Sequence, residues 1–450
     1  MRSRPSSRGA KQARGEGVDP GADVRATRGE RVLLVSPSLR GHRLTYCEVL
    51  SMILAHLGFE TVVATNASDA RIFSSPRLAR LKGQSRVTVR NVADEITGDV
   101  LSLEATSAIA DEIGAGVTFF AEADDILQSL VGRPSRQASG RLGRVVCLFL
   151  RSTNYIYAPR KPLPQRLRRR LRTWPGRGVD WRQAHESLLA RRNLVDSMLT
   201  LDELFSREHP EAHCWLPDIY SGFDEPPPGD ARETRLWAQR LAAFAASLGE
   251  RPIISYVGAA HERRGYSTLL GLAVHENAGF IHCGELGEAA EQVAAKTFRA
   301  ILAERGHLLE TGVSYEWSET AALFLRAGSC VVLPYPNHLG SSGVMLQAIA
   351  AGRPVLVPDR GLMGYRTRAF GLGETYDEGN LTDLRDRFRR LSRVGAAPYA
   401  ERLSAYASCF SREQVTAALE LAVSGRGSGA ELPCTTLSAT AEAFEGKPAL

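Results

Sequence analysis

The chain has 450 residues, too many for one ordinary core, so two domains with flanking tails are expected. Its 44% hydrophobic and 24% charged content is that of a soluble globular protein, and no apolar run reaches the ~20 residues that a spanning helix needs. The net charge of +6 suits an anionic partner, but no aromatic-interleaved or zinc-type module accompanies it, so nucleic acid is set aside.

Residues 1–29, rich in Arg, Gly and Ser and without a signal-peptide core, read as a disordered basic leader, and a cytoplasmic location follows. A first domain over 30–224 opens with a strand at Val32–Ser36, the loop Pro37–Arg43 and a helix. That helix carries Val49, Leu50, Ile53, Leu54 and Leu57 at helical spacing and stops at Gly58. Strands follow at Thr61–Ala64, Val117–Phe120, Val145–Leu150 and Ser197–Thr200. Within this domain, residues 160–172 hold Arg160, Lys161, Arg166, Arg168, Arg169, Arg170 and Arg172. As a helix the run sets Leu167 and Leu171 at i, i+4 and lies on anionic lipid headgroups at the inner membrane face; as a loop it is merely solvated.

Pro226, Pro227 and Pro228 break the pattern, so 225–250 reads as a linker and leading helix. A second domain over 251–398 has strands at Ile253–Val257, Phe280–Cys283, Leu308–Thr311, Cys330–Leu333 and Val355–Val357. One helical stretch, Tyr399–Ala422, fills 399–425, and 426–450 reads as a disordered tail. Strands alternating with helices predict an α/β chain of two doubly wound, Rossmann-like domains facing a central cleft, with ligands at the carboxyl ends of the strands. The seven cysteines lack CxxC spacing and mostly sit in apolar runs, which predicts small buried thiols and neither zinc site nor disulfide frame.

The most informative stretch is SCVVLPYPNHLGSSGVMLQAIAAGRPVLVPD, from Ser329 to Asp359. An apolar run leads into a turn-rich loop at Pro336–Ser342 and then a helix from Gly343, with Ser342 as N-cap and Gly352 as the stop. Free N–H groups and the positive end of the helix dipole make such a junction an anion site. Two further loops, SPSLRGHRLTY and YVGAAHERRGYSTLL, stand at matching places after the first strand of each domain.

With these three loops in order, residues 30–425 resemble the GT-B glycosyltransferases, in particular the retaining family 4 (group 1) type. The likeness is strongest in VG…RRG…GSSG…QAIAAGRPVLVPD…GLGETYD between Ile253 and Asp377. It implies a first, acceptor-side domain, a second, donor-binding domain, and sugar transfer from a nucleoside diphosphate to a hydroxyl of a saccharide or lipid-linked acceptor, with retention. No cofactor is implied beyond the nucleotide-sugar co-substrate. No metal is implied either, because arginines neutralise the diphosphate, and the adjacent Asp124 and Asp125 do not make a DxD.

Carried onto this chain, the resemblance implies that Arg263 and Arg264 hold the diphosphate and stabilise it as it leaves. Surface arginines ahead of a helix are the alternative reading. Gly258 marks the turn before them, although Ala259 stands where the family has a basic residue. Ser341, Ser342 and Gly343 offer backbone to phosphate. The family's paired glutamates fall at Leu339 and Gln347; Gln347 retains an amide for the ribose, and Leu339 retains nothing for the sugar. Gly41 and His42 match the glycine-rich loop of the first domain, with His42 either a sugar contact or a helix cap. Glu122 either orients the acceptor or is a solvated first-turn carboxylate, and Glu374 is ambiguous in the same way. A GT-B-like nucleotide or glycan binder without turnover is the alternative function, and a sugar epimerase comes third.

Overall fold

The computed structural model describes residues 31–39, 42–68, 76–97, 100–126, 130, 142–150, 152, 195–208, 213–219, 231–312 and 319–425. The expectations for the leader 1–29, Gly41, the basic run 160–172, Pro226–Pro228 and the tail 426–450 concern residues outside these, as does the His42 side chain.

In the first half, strands β1 (Arg31–Val35), β2 (Glu60–Thr65) and β3 (Val87–Asn91) are followed by a short antiparallel pair, β4 (Ile96–Thr97) and β5 (Val100–Leu101). Then come β6 (Val117–Phe120), β7 (Arg144–Phe149), β8 (Ser197–Thr200) and β9 (His213–Trp215). Seven of them form one parallel sheet in the order β3-β2-β1-β6-β7-β8-β9. Both faces are covered: Val32, Leu34, Phe119, Val146 and Leu148 belong to one apolar cluster, while Leu33, Val35, Phe120, Val145 and Phe149 belong to another. Side chains alternate across a strand, so two buried faces favour a nearly continuous apolar run, here interrupted by buried Thr118 and Thr200.

The second half contains β10 (Ile253–Val257), β11 (Gly279–Cys283), β12 (Leu308–Glu310), β13 (Val331–Val332), β14 (Val355–Pro358) and β15 (Gly373–Tyr376). A parallel bridge between Ile254 and Cys330 joins two three-stranded pieces into the order β12-β11-β10-β13-β14-β15. In each half the strand order reverses beside the first strand, between β1 and β6 and between β10 and β13. Such a reversal opens a crevice at the carboxyl ends of the strands. The helix Ala231–Leu248 packs Trp237, Leu241 and Leu248 into the second core.

Two expectations need correction. Strands β3, β9 and β15 carry no continuous apolar run and were not predicted; β3, for example, is half-buried to exposed along VTVRN. The predicted single C-terminal helix is two. Ala400–Ser408 packs Leu403 and Tyr406 into the second core, whereas Arg412–Ser424 packs Val415, Leu419 and Val423 against the first. Ser411 restarts the helix as N-cap, accepting from Gln414 N–H. At its far end the Ala422 carbonyl accepts from Arg144 Nε of β7 (2.8 Å) and Ser197 Oγ of β8 (2.9 Å).

Candidate functional site

After β10 the chain turns at Gly258, whose φ of 102° is a conformation reserved for glycine. The turn is closely confined, since a Cβ on Gly284 would come within 2.2 Å of the Gly258 carbonyl oxygen. That carbonyl also pairs with His282 Nε2 at 2.9 Å. A short 3₁₀ turn, Glu262–Arg264, follows, and Gly265 at φ 67° caps the helix Tyr266–His275. His261 Nδ1 accepts from Arg263 N–H at 3.2 Å, which fixes the turn.

This turn is pressed onto the end of β13: a Cβ on Gly265 would lie 2.5 Å from the Pro334 carbonyl oxygen. Arg263 is exposed and Arg264 half-buried. Both charges act on the loop that follows β13. Burial holds the His338 imidazole below its ordinary range, and Arg263 and Arg264 push it lower, against a hydrogen bond to the Ser341 carbonyl (3.0 Å). Burial raises the Tyr335 phenol, opposed by Arg264, by a hydrogen bond with Ser342 and by Arg263.

The loop itself is anchored at several points. Asn337 takes a left-handed conformation (φ 54°) and donates its N–H to Glu378 Oε1 at 2.6 Å. The Leu339 carbonyl accepts from Leu362 N–H (2.8 Å), at the start of the helix Gly361–Phe370. Ser342 caps the helix Gly343–Ala350, accepting from Met345 N–H at 3.3 Å. The earlier N–H groups of that helix, at Gly343 and Val344, have no acceptor within it, and the positive end of its dipole lies there.

The Ser341 hydroxyl is occupied on both sides. It donates to Asp218 Oδ2 (2.8 Å) and accepts from Arg366 Nη1 (2.9 Å). Asp218 Oδ1 in turn accepts from the Tyr46 hydroxyl at 2.9 Å, on the helix His42–His56 of the first half. Arg366 reaches Glu203 through Nε (2.9 Å) and Nη2 (2.6 Å), and Leu201 O through Nη2 (3.0 Å). Burial disfavours the Arg366 charge, but Glu203 beside it raises its pKa and keeps it charged. Sequence reasoning named none of Tyr46, Glu203, Asp218 or Arg366.

The structure thus gathers Gly258, Arg263, Arg264, Ser341, Ser342 and Gly343 at the carboxyl ends of β10 and β13. Gln347, one turn further along its helix, is fully buried. Glu122 lies in the first half, in a narrow crevice beside β1 and β6. It is not the solvated carboxylate of one reading: its side chain is 8% exposed and ion-paired with Arg43, which also reaches Asp125 at 3.1 Å. Ser36, Val100 and Phe120 line the same crevice. Glu374 is 6% exposed and paired with Arg390 at 2.6 Å, inside the second half. Among the described residues, no group of three His, Cys, Asp or Glu side chains is placed to hold a metal ion. Nor is any helix among them long and apolar enough to cross a membrane.

No protein-family model and no curated protein sequence matches the chain. Solved structures do. HepE of Anabaena in complex with UDP superposes with a TM-score of 0.58 at 12% identity, covering 88% of this chain and 100% of that one. Sucrose-phosphate synthase from Thermosynechococcus elongatus gives 0.54 at 15%, covering 87% and 97%. WaaG, a glycosyltransferase involved in lipopolysaccharide biosynthesis, gives 0.54 at 13%, covering 89% and 100%. With two doubly wound halves, a reversal of strand order in each and a last helix that returns to the first half, the chain has the fold of the GT-B glycosyltransferases.

Proposed function

We propose that this protein is a glycosyltransferase that moves a hexose-like sugar from a nucleoside diphosphate to a hydroxyl of a saccharide or lipid-linked acceptor, with retention and without a metal. One observation carries the reading: the Arg263–Arg264 turn is pressed through Gly265 onto the end of β13, beside the Ser341–Gly343 helix start. Two guanidinium groups and a set of free N–H groups at one crevice match a diphosphate in charge and in donor geometry. Charge that builds on the leaving phosphate meets fixed donors there, so the stabilisation grows along the reaction. HepE, whose fold this chain shares, was solved in complex with UDP, which supports a nucleotide as ligand. The first-half crevice, with Glu122 and Asp125 held by Arg43, is the acceptor side in this reading.

Titration calorimetry against a panel of nucleoside diphosphates tests the proposal. Binding of one at micromolar affinity, weakened at least tenfold in Arg263→Ala/Arg264→Ala, is the expected result. Folded protein that binds none of them rules it out.

A second reading, a nucleotide or glycan binder without turnover, is favoured by a separate observation. Leu339 offers a carbonyl that already caps a helix, and Gln347 is fully buried, so the two positions where the family has carboxylates offer none. Release of nucleoside diphosphate from a nucleotide sugar in the absence of acceptor supports the enzyme. Binding without hydrolysis or transfer supports the binder.

A further inference from the structure

The Ser341 hydroxyl has one proton to donate, and Asp218 takes it. Arg366 occupies an acceptor site on the same oxygen. The hydroxyl therefore does not serve as a donor to phosphate; the backbone of the loop is what it leaves for an anion. Both holding groups are themselves fixed from the first half of the chain. Asp218 is 3% exposed and bound to Tyr46, and Arg366 is 1% exposed and bound twice to Glu203 and once to Leu201 O. The sequence Tyr46–Asp218–Ser341–Arg366–Glu203 is thus a continuous buried polar chain that begins and ends in the first half and passes through the anion loop of the second.

We propose that Asp218 and Arg366 are positioning residues that set the Ser341 loop for the nucleoside diphosphate, and that Tyr46 tunes nucleotide affinity through them. The inference rests on the donor site proposed above. Tyr46 stands in the first half, on the helix that carries Arg43 one turn earlier, so the two crevices are linked by hydrogen bonds rather than by loop packing alone. Losing the Tyr46 hydroxyl removes one of the hydrogen bonds that orient the Asp218 carboxylate and so slackens its grip on Ser341.

A double-mutant cycle read in nucleotide affinity tests this, with the full chain and the nucleoside diphosphate that binds best. Tyr46→Phe and Ser341→Ala each remove one hydroxyl and keep the packing; Asp218→Asn, which disturbs a buried charge, serves only as a third variant. Tyr46→Phe is expected to weaken binding roughly three- to tenfold in the parent, the span of one hydrogen bond, and to change nothing once Ser341 is Ala. An equal loss in both backgrounds, or no loss in the parent, overturns the proposal while leaving the donor site standing. A parent protein that binds no nucleotide overturns the donor site itself, and the proposal with it. Unfolding midpoints of the variants, within a few degrees of the parent, separate positioning from general loosening.

Discussion

Arg366 and Glu203 are 163 positions apart, in different halves of the chain, and form a two-pronged ion pair with each side chain only 1% exposed. A charge pair this deep is held by its geometry, and neither member tolerates the loss of the other. Replacing Arg366 by Met should cost about 3–5 kcal/mol, because the Glu203 carboxylate is left buried without a cation. Adding Glu203→Leu to that variant should recover much of the loss, since an apolar pair needs no compensation. Urea unfolding of the single and double variants decides it. A single variant as stable as the parent would show that water reaches the pair.

Gly265 has a near-matched control in the same chain. Gly265 (φ 67°) and Gly306 (φ 69°) share a backbone conformation, but a Cβ at 306 meets nothing within 4 Å, while one at 265 meets Pro334 O at 2.5 Å. Gly306→Ala should therefore cost only the left-handed strain, roughly 1–2 kcal/mol. Gly265→Ala should cost more and should also weaken nucleoside diphosphate binding, because the turn carrying Arg263 and Arg264 has to move away from β13. Thermal melts and calorimetry on the two variants give the comparison. Equal effects at both positions would mean that the contact with Pro334 has no influence on the site.

Acid sensitivity should centre on Glu310. Burial pushes this carboxyl up, but the His282 ring 3.7 Å away and the Arg299 fork, 2.7 Å at its closest, outweigh burial and hold it at about 2 against an ordinary 4.5. A depressed folded-state pKa means that the unfolded chain binds the extra proton first. The stabilisation is complete above about pH 4.5 and is lost as pH falls towards 2. Unfolding free energies of the parent and Glu310→Gln should therefore differ at pH 6 and draw together as pH falls from about 4.5 to about 2. A constant difference across that range would contradict the assignment.

The thiols should be almost silent in the native state. Burial raises Cys47, Cys283 and Cys330 to about 12 and Cys147 higher still, and Cys409 is buried as well. The thiolate is the reactive form, so an aromatic disulfide reagent at pH 8 should titrate no more than Cys214, which is half-buried, and Cys434, outside the described residues. All seven should react in denaturant. Fast native reaction of a third thiol would show that one of the cores opens.

The parts of the fold that were legible in the sequence are those with two buried faces. Val117–Phe120, Ser197–Thr200 and Ile253–Val257 were predicted with the bounds they have, because a strand covered on both sides is largely apolar, its few polar residues being small hydroxyls such as Thr118, Thr200 and Ser255. The edge strand β3, half wetted, carried no such signal. The loops of the site were legible because glycine and serine are needed where the chain turns sharply beneath a helix start. Asp218, Arg366 and Glu203 were not, since their partners lie 25 to 172 positions away and nothing local marks an arginine in GLMGYRTRAF as buried. The break at Ser411 was legible in principle: a serine three positions before a glutamine is a helix-start pattern, and SREQ contains it.

The return of Arg412–Ser424 to the first sheet bears on how this protein is made. The surface of β7 and β8 that Val415, Leu419 and Val423 cover belongs to residues synthesised more than two hundred positions earlier. On the ribosome, the amino-terminal half stays without one of its walls until residues 412–424 have emerged. Through the synthesis of the intervening second half it therefore keeps an open apolar face, the condition under which nascent chains call on chaperones.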